Sequence, residues 1–137
     1  MYTTLRNGAL REPLAPGMAF RRYARLGLDR RTLSVFEVYD VIKGMTPNAS
    51  AALDMLAVYD ALRLLTASGQ GECALAVRAV YFWGAGRRPR KNDVTYRIRR
   101  LAFDLHCDER TVYRRLETAK NLYATLRESY RAKGAVL

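Results

Sequence analysis

Between residues 99 and 126 the chain reads RRLAFDLHCDERTVYRRLETAKNLYATL, with apolar residues at helical spacing on both sides of one interruption at HCDER. A helical pattern that stops and restarts within a few residues must bring its two apolar stripes together or bury them elsewhere. Leu101, Ala102 and Leu105 put an apolar edge on the first helix. His106 and Cys107 form a short turn. Asp108 can accept hydrogen bonds from the N–H groups that open the next helix, and Val112 and Leu116 return an apolar stripe to the first. Ala102 is small where two helices approach, and Cys107 is the apolar residue that such a turn buries. This is the layout of a helix-turn-helix; an αα-hairpin with a solvated basic face has the same skeleton.

With Val112 and Leu116 turned inward, Arg110, Tyr113, Arg114 and Glu117 point outward. The outer side of the second helix is the one that enters a major groove. Arg makes bidentate bonds to guanine, and Thr111 and Tyr113 suit phosphate or a thymine methyl. Glu109 complements the helix dipole. Arg115, Lys120 and Arg127 are expected toward backbone phosphates or solvent. The stripe runs on through Ala119, Tyr123, Leu126 and Tyr130 in steps of three and four. Such a heptad-like seam predicts packing on the helices of residues 47–83, with a homodimer seam as the alternative.

Charge places this segment in the most cationic part of the chain. The whole carries 24 Lys and Arg against 13 Asp and Glu, a net +11. Residues 1–30 are net +4 (six basic, two acidic), residues 31–83 net −1 (four, five), and residues 84–137 net +8 (fourteen, six). That asymmetry suggests a polyanion-facing half and a neutral scaffold. Double-stranded DNA is the expected partner.

The rest of the sequence predicts an all-α protein, one compact unit of five or six helices with a long last helix. Residues 1–28 read as a basic N-terminal arm with one short helix near 18–27, ordering on a partner. Residues 29–83 read as a helical scaffold. In it, Asp29 caps a helix that stops at Gly44 and carries Val35, Val38, Tyr39 and Ile42 on one face, although the β-branched content also permits a strand. Thr46 caps a second helix with Pro47 in its first position. That helix runs to about Ala67 and turns Ala52, Met55, Leu56, Tyr59 and Leu62 to the core. ECALAVRAVYFW is a nearly all-apolar, central helix. Residues 84–93 form a basic loop in which Arg87, Arg88, Arg90 and Lys91 are candidate phosphate contacts, with a solvent-facing linker as the equal alternative. Residues 94–132 hold the helix-turn-helix, its first helix capped by Asn92 or Asp93.

No catalytic constellation is expected. His106 is the single His, and adjacency to Cys107 does not make a nucleophile–base pair. GAG at 84–86 lacks the GK[ST] of a phosphate loop. Cys73 and Cys107 have no metal-ligand spacing, so neither metal nor cofactor is anticipated; Cys73 reads as a small core residue. No apolar run is long enough to span a bilayer, and the opening MYTTLRNGALRE lacks the apolar run of a signal peptide, so none is expected. These features suggest a reducing, cytoplasmic setting without membrane contact.

LAFDLHCDERTVYRRLETA resembles the helix-turn-helix of the fourth region of bacterial sigma factors. The turn apolar residue, the capping position and the Thr-Val pair coincide with Cys107, Asp108, Thr111 and Val112; His106 stands where a turn glycine is usual. With AVRAVYFW and CDERTVYRRLETAKNL, residues 50–130 are similar to small bacteriophage late-gene regulators, namely the antitermination Q proteins and the ArpU/RinA-type activators. The resemblance implies a transcription regulator in a host bacterial cell that binds DNA near a late promoter. In the Q case it also implies loading onto RNA polymerase, where nascent RNA is a further candidate partner of the basic segments. A simple repressor and a small terminase-like packaging adaptor are the alternatives.

Overall fold

A computed structural model describes residues 12–88 and 90–132, and among them the chain is helical without strands. Six helices follow in order: α1 Pro16–Arg25, α2 Val38–Met45, α3 Ala49–Ala67, α4 Gly71–Val77, α5 Asp93–Leu105 and α6 Glu109–Ala132. A 3₁₀ turn, Leu28–Arg30, follows α1, and a π-helical turn, Arg78–Phe82, extends α4. The 24 residues of α6 make a rod about 36 Å long at 1.5 Å per residue.

α3 shares the centre of the core with the segment ECALAVRAVYFW, whose Cys73, Ala74, Ala76, Val77, Val80 and Tyr81 are buried against α1, α3, α5 and α6. Asn48 opens α3, its side chain accepting the Ala51 N–H at 2.9 Å. Thr46 is not the cap: its hydroxyl donates back to the Ile42 carbonyl at 2.9 Å, and Pro47 lies before the helix. Eleven of the 19 α3 residues are buried, spread around the whole circumference. Small residues (Ala51, Ala52, Ala57, Ala61) let α2, α4 and α6 approach α3 closely. Ala52, Met55 and Leu62 are buried as expected, with Leu56 and Tyr59 packed at the edge. Cys73 is buried in α4.

The long seam of α6 packs as the heptad spacing implied. Val112, Leu116, Ala119 and Tyr123 are buried, and Leu126 and Tyr130 pack at the rim. Helices α3 and α4 cover them, so the stripe is used within the chain and is not left over for a dimer.

Two expectations about the N-terminal half need correction. Residues 12–28 are not a loose arm. Ala19, Phe20 and Tyr23, spaced along one face of α1, are buried. The Phe20 ring sits 5.6 Å from that of Tyr81 and 6.0 Å from that of Tyr123, so α1 is part of the core. The expected arm's residues 1–11 lie outside the described residues. Nor does a helix start at Asp29. That residue sits in the 3₁₀ turn and accepts two-pronged hydrogen bonds from Arg78 at 3.0–3.2 Å. α2 begins at Val38 and runs through Gly44; Val35 is exposed, and the Phe36 ring is 92% exposed. The chain before α2 is pinned instead by Tyr59, whose hydroxyl donates to the Leu33 carbonyl at 3.1 Å.

Candidate nucleic-acid interface

α5 and α6 meet through a turn of three residues. Ile98, Leu101 and Ala102 are buried on α5; Leu105, expected beside them, is 40% exposed because the helix closes one residue later. The closure is a Schellman motif: the Cys107 N–H donates to the Ala102 carbonyl at 3.0 Å and the His106 N–H to the Phe103 carbonyl at 3.2 Å. His106 takes the left-handed conformation (φ 54°) that glycine usually supplies. Cys107 tucks partly against the core. Asp108 then caps α6, Oδ1 accepting the Arg110 N–H at 2.9 Å.

The face of α6 that the sequence assigned to a partner is free. Arg110, Tyr113, Arg114 and Glu117 are exposed, and Glu109, Thr111 and Arg115 are half-exposed. Glu109 pairs across the turn with Arg99 at 3.6 Å, tying the start of α6 to α5, and Arg114 Nη2 reaches the Thr111 hydroxyl at 3.4 Å. Two cations are placed differently from expectation. Arg127 is buried against Asp54, because Val112, Ala119, Tyr123 and Arg127 lie on the core side of the same helix. Lys120 is half-buried, its ammonium 5.5 Å from the Tyr81 ring centroid.

The basic loop forms a separate cluster. Arg87, Arg88, Arg90 and Lys91 are exposed. Asn92 stands at the start of α5 in a left-handed conformation (φ 68°) and makes no side-chain cap. Asp93, inside the helix, accepts the Arg90 N–H at 2.8 Å and so closes the loop. That bond holds the Asp93 carboxyl below the usual carboxylate range, with Arg97, Arg21 and Arg90 adding to the effect.

Beneath the loop lies a residue that the sequence did not single out. Arg97 is buried, donates to the Val80 carbonyl at 3.1 Å and approaches Asp93 at 3.9 Å. Its guanidinium carbon is 4.8 Å from the centroid of Trp83, and that of Arg87 is 5.4 Å away. Gly84 (φ 69°) permits this approach, since a Cβ there would come within 2.9 Å of Arg97 Nη2. Trp83, expected inside a central helix, is 62% exposed. The widened π turn, in which the Trp83 N–H reaches the Arg78 carbonyl at 3.2 Å, swings it out. The one sequence signal was its place at the break GAG, where the apolar run ends.

Among the described residues no group of three or more His, Cys, Asp or Glu is placed to hold a metal, and no helix is long and apolar enough to cross a membrane. No protein-family model, curated protein or solved structure matches the chain.

Proposed function

We propose that the chain is a sequence-specific DNA-binding regulator of transcription, with α5 and α6 as its helix-turn-helix and α6 as the recognition helix. One arrangement carries the reading. On the first turns of α6, Val112 and Leu116 are buried while Arg110, Tyr113, Arg114 and Glu117 stand free, directly after a tight, capped turn. A helix so anchored presents its exposed N-terminal turns rigidly, which suits insertion into a major groove. The net charge of +11 supplies attraction to phosphate. The exposed loop cations Arg87, Arg88, Arg90 and Lys91 are additional phosphate contacts. The late-regulator resemblance of CDERTVYRRLETAKNL points further, to action on RNA polymerase in the manner of a Q-type antitermination factor.

Selection of duplexes from a randomised pool tests the DNA reading. An enriched motif whose binding is lost in Arg114→Ala supports it. Recovery of no motif, with equal binding to all duplexes, overturns sequence recognition.

A further inference from the structure

Two depressions at the basic loop share Arg97 in their linings. One, of about 390 Å³, is lined by Trp83, Tyr96, Arg97, Arg100, Leu101 and Ala79 with Asp104 at its edge. Its volume falls in the range of roughly 300–1,000 Å³ typical of small-ligand sites. Trp83 and Tyr96 are both exposed there, against the ordinary tendency of aromatic rings to be covered. The other, of about 350 Å³, is lined by Arg87, Arg88, Arg90 and Arg97 and a single acid, Asp93. Among the described residues Arg87, Arg88 and Arg90 form no salt bridge. Like charge is crowded: burial, and then the neighbouring Arg21 and Arg87, draw the Arg97 guanidinium pKa down despite Asp93. None of these residues is on α6.

We propose that the two depressions form one site for single-stranded nucleic acid, an unpaired base lying against Trp83 and Tyr96 and its phosphate among the loop arginines. The chemistry fits in both halves. Every base offers a π-face to an aromatic side chain, and arginines beside the ring add cation–π attraction and neutralise the backbone. A base stacked inside a duplex cannot enter such a pocket, so the site reads strand state. It goes beyond the duplex recognition assigned to α6 and does not depend on it. The π turn supports the assignment, since single π turns inside helices often mark functional positions. Here it carries the aromatic ring out of the core and onto the cleft.

Trp83 is the only tryptophan, so its fluorescence reports the site directly. The full chain is titrated with a short single strand, the same strand made abasic, and the matching duplex, each as DNA and as RNA. The expected result is quenching by the base-bearing single strand and little by the abasic strand or duplex; the tighter of DNA and RNA names the source. With a labelled strand followed by anisotropy, Trp83→Ala and Tyr96→Ala should each weaken binding about tenfold, the scale of one lost stacking contact, and Trp83→Phe should recover part of it. Both rings are exposed, and unchanged melting curves verify that the variants fold. Arg114→Ala should leave single-strand binding unaltered, which separates this site from the α6 face. Equal quenching by abasic strand or duplex, or full affinity in Trp83→Ala, overturns the proposal.

Discussion

Arg127 Nε donates to Asp54 Oδ1 at 2.8 Å, with the two side chains only 4% and 5% exposed. The guanidinium also donates to the Ser50 hydroxyl at 3.1 Å. The Tyr123 hydroxyl donates to the Leu14 carbonyl at 2.9 Å and approaches Asp54 Oδ1 at 3.4 Å. The network staples the segment before α1 to both α3 and α6. Burial pushes the Asp54 carboxyl up, against the pull of Arg127, so the charge is held at a desolvation cost and depends on its partner. Arg127→Ala should therefore destabilise the chain by about 3–5 kcal/mol. The paired change Arg127→Met with Asp54→Leu should cost far less than the sum of the single changes. Urea denaturation of the four proteins measures the coupling; strictly additive losses would show that the pair is not a unit.

Burial raises the phenol groups of Tyr23, Tyr123 and Tyr130 well above their usual pKa, which is about 10. For Tyr130 the hydrogen bond to Asp60 adds to the effect. Above pH ~10 the unfolded chain has lost protons that the folded chain keeps, so stability must fall as pH rises; below that value the contribution is complete. Phenolate absorbance should accordingly rise in two phases, the second coinciding with loss of helical circular dichroism. A single smooth titration that leaves the helices intact would contradict this.

His106 holds the left-handed position at the end of α5 without being glycine. The side chain costs roughly 1–2 kcal/mol there, while glycine would return about 0.5–1 kcal/mol of that by loosening the unfolded chain. His106→Gly should thus stabilise by about 0.5–1 kcal/mol, read as a thermal midpoint a few degrees higher. Lowered stability would mean that the imidazole makes a contact worth more than the strain.

What could be read from the sequence was whatever depends on spacing along one helix. The inward positions of Val112, Leu116 and Ala119, the Asp108 cap and the exposed Arg110, Tyr113 and Arg114 all follow from a 3.6-residue period and a turn. Features set by distant partners were not legible. Arg127 looked like surface charge because its carboxylate, Asp54, is 73 residues away. Trp83 looked like core because nothing local marks a π turn. The segment before α2 looked helical by cap and periodicity, yet Asp29 is taken by Arg78 across the fold. α1 looked like an arm because its buried face consists of only Ala19, Phe20 and Tyr23. In each case a tertiary contact overrode a local preference.

The exposed cations on α6 and in the loop should behave differently. Arg110→Ala and Arg114→Ala should cost ~1–3 kcal/mol on the preferred duplex and little on random duplex. Lys91→Ala, at an exposed loop position, should weaken every duplex alike. Wild-type affinity should fall about a thousandfold between 50 and 200 mM salt if some six phosphates are neutralised. Equal losses on specific and random DNA in the two α6 variants would move recognition off this helix, and a flat salt response would count against phosphate contact altogether.

Action on polymerase can be separated from DNA binding by truncation, and the packing of α1 decides where to cut. Removing residues 1–28 would take Phe20, Tyr23 and Leu28 out of the core and should unfold the chain, since burial of one such side chain is worth roughly 1.5–3 kcal/mol. Removing residues 1–11 leaves α1 and the Leu14 clamp in place while deleting Arg6 and Arg11. On the antitermination reading, this shorter protein should still bind its duplex and lose readthrough of a downstream terminator. Charge reversal at Arg88, exposed in the loop and itself a proposed phosphate contact, should test the second cationic segment when readthrough is compared at matched DNA occupancy. The measurement is single-round transcription on a template carrying the selected motif, a pause site and a terminator, with DNA occupancy followed in parallel. Full-length protein that occupies the template without any readthrough would eliminate the elongation role and leave a regulator acting at initiation. Readthrough that survives both changes would place the polymerase contact elsewhere, with the exposed Val35 and Phe36 before α2 as the next surface to alter.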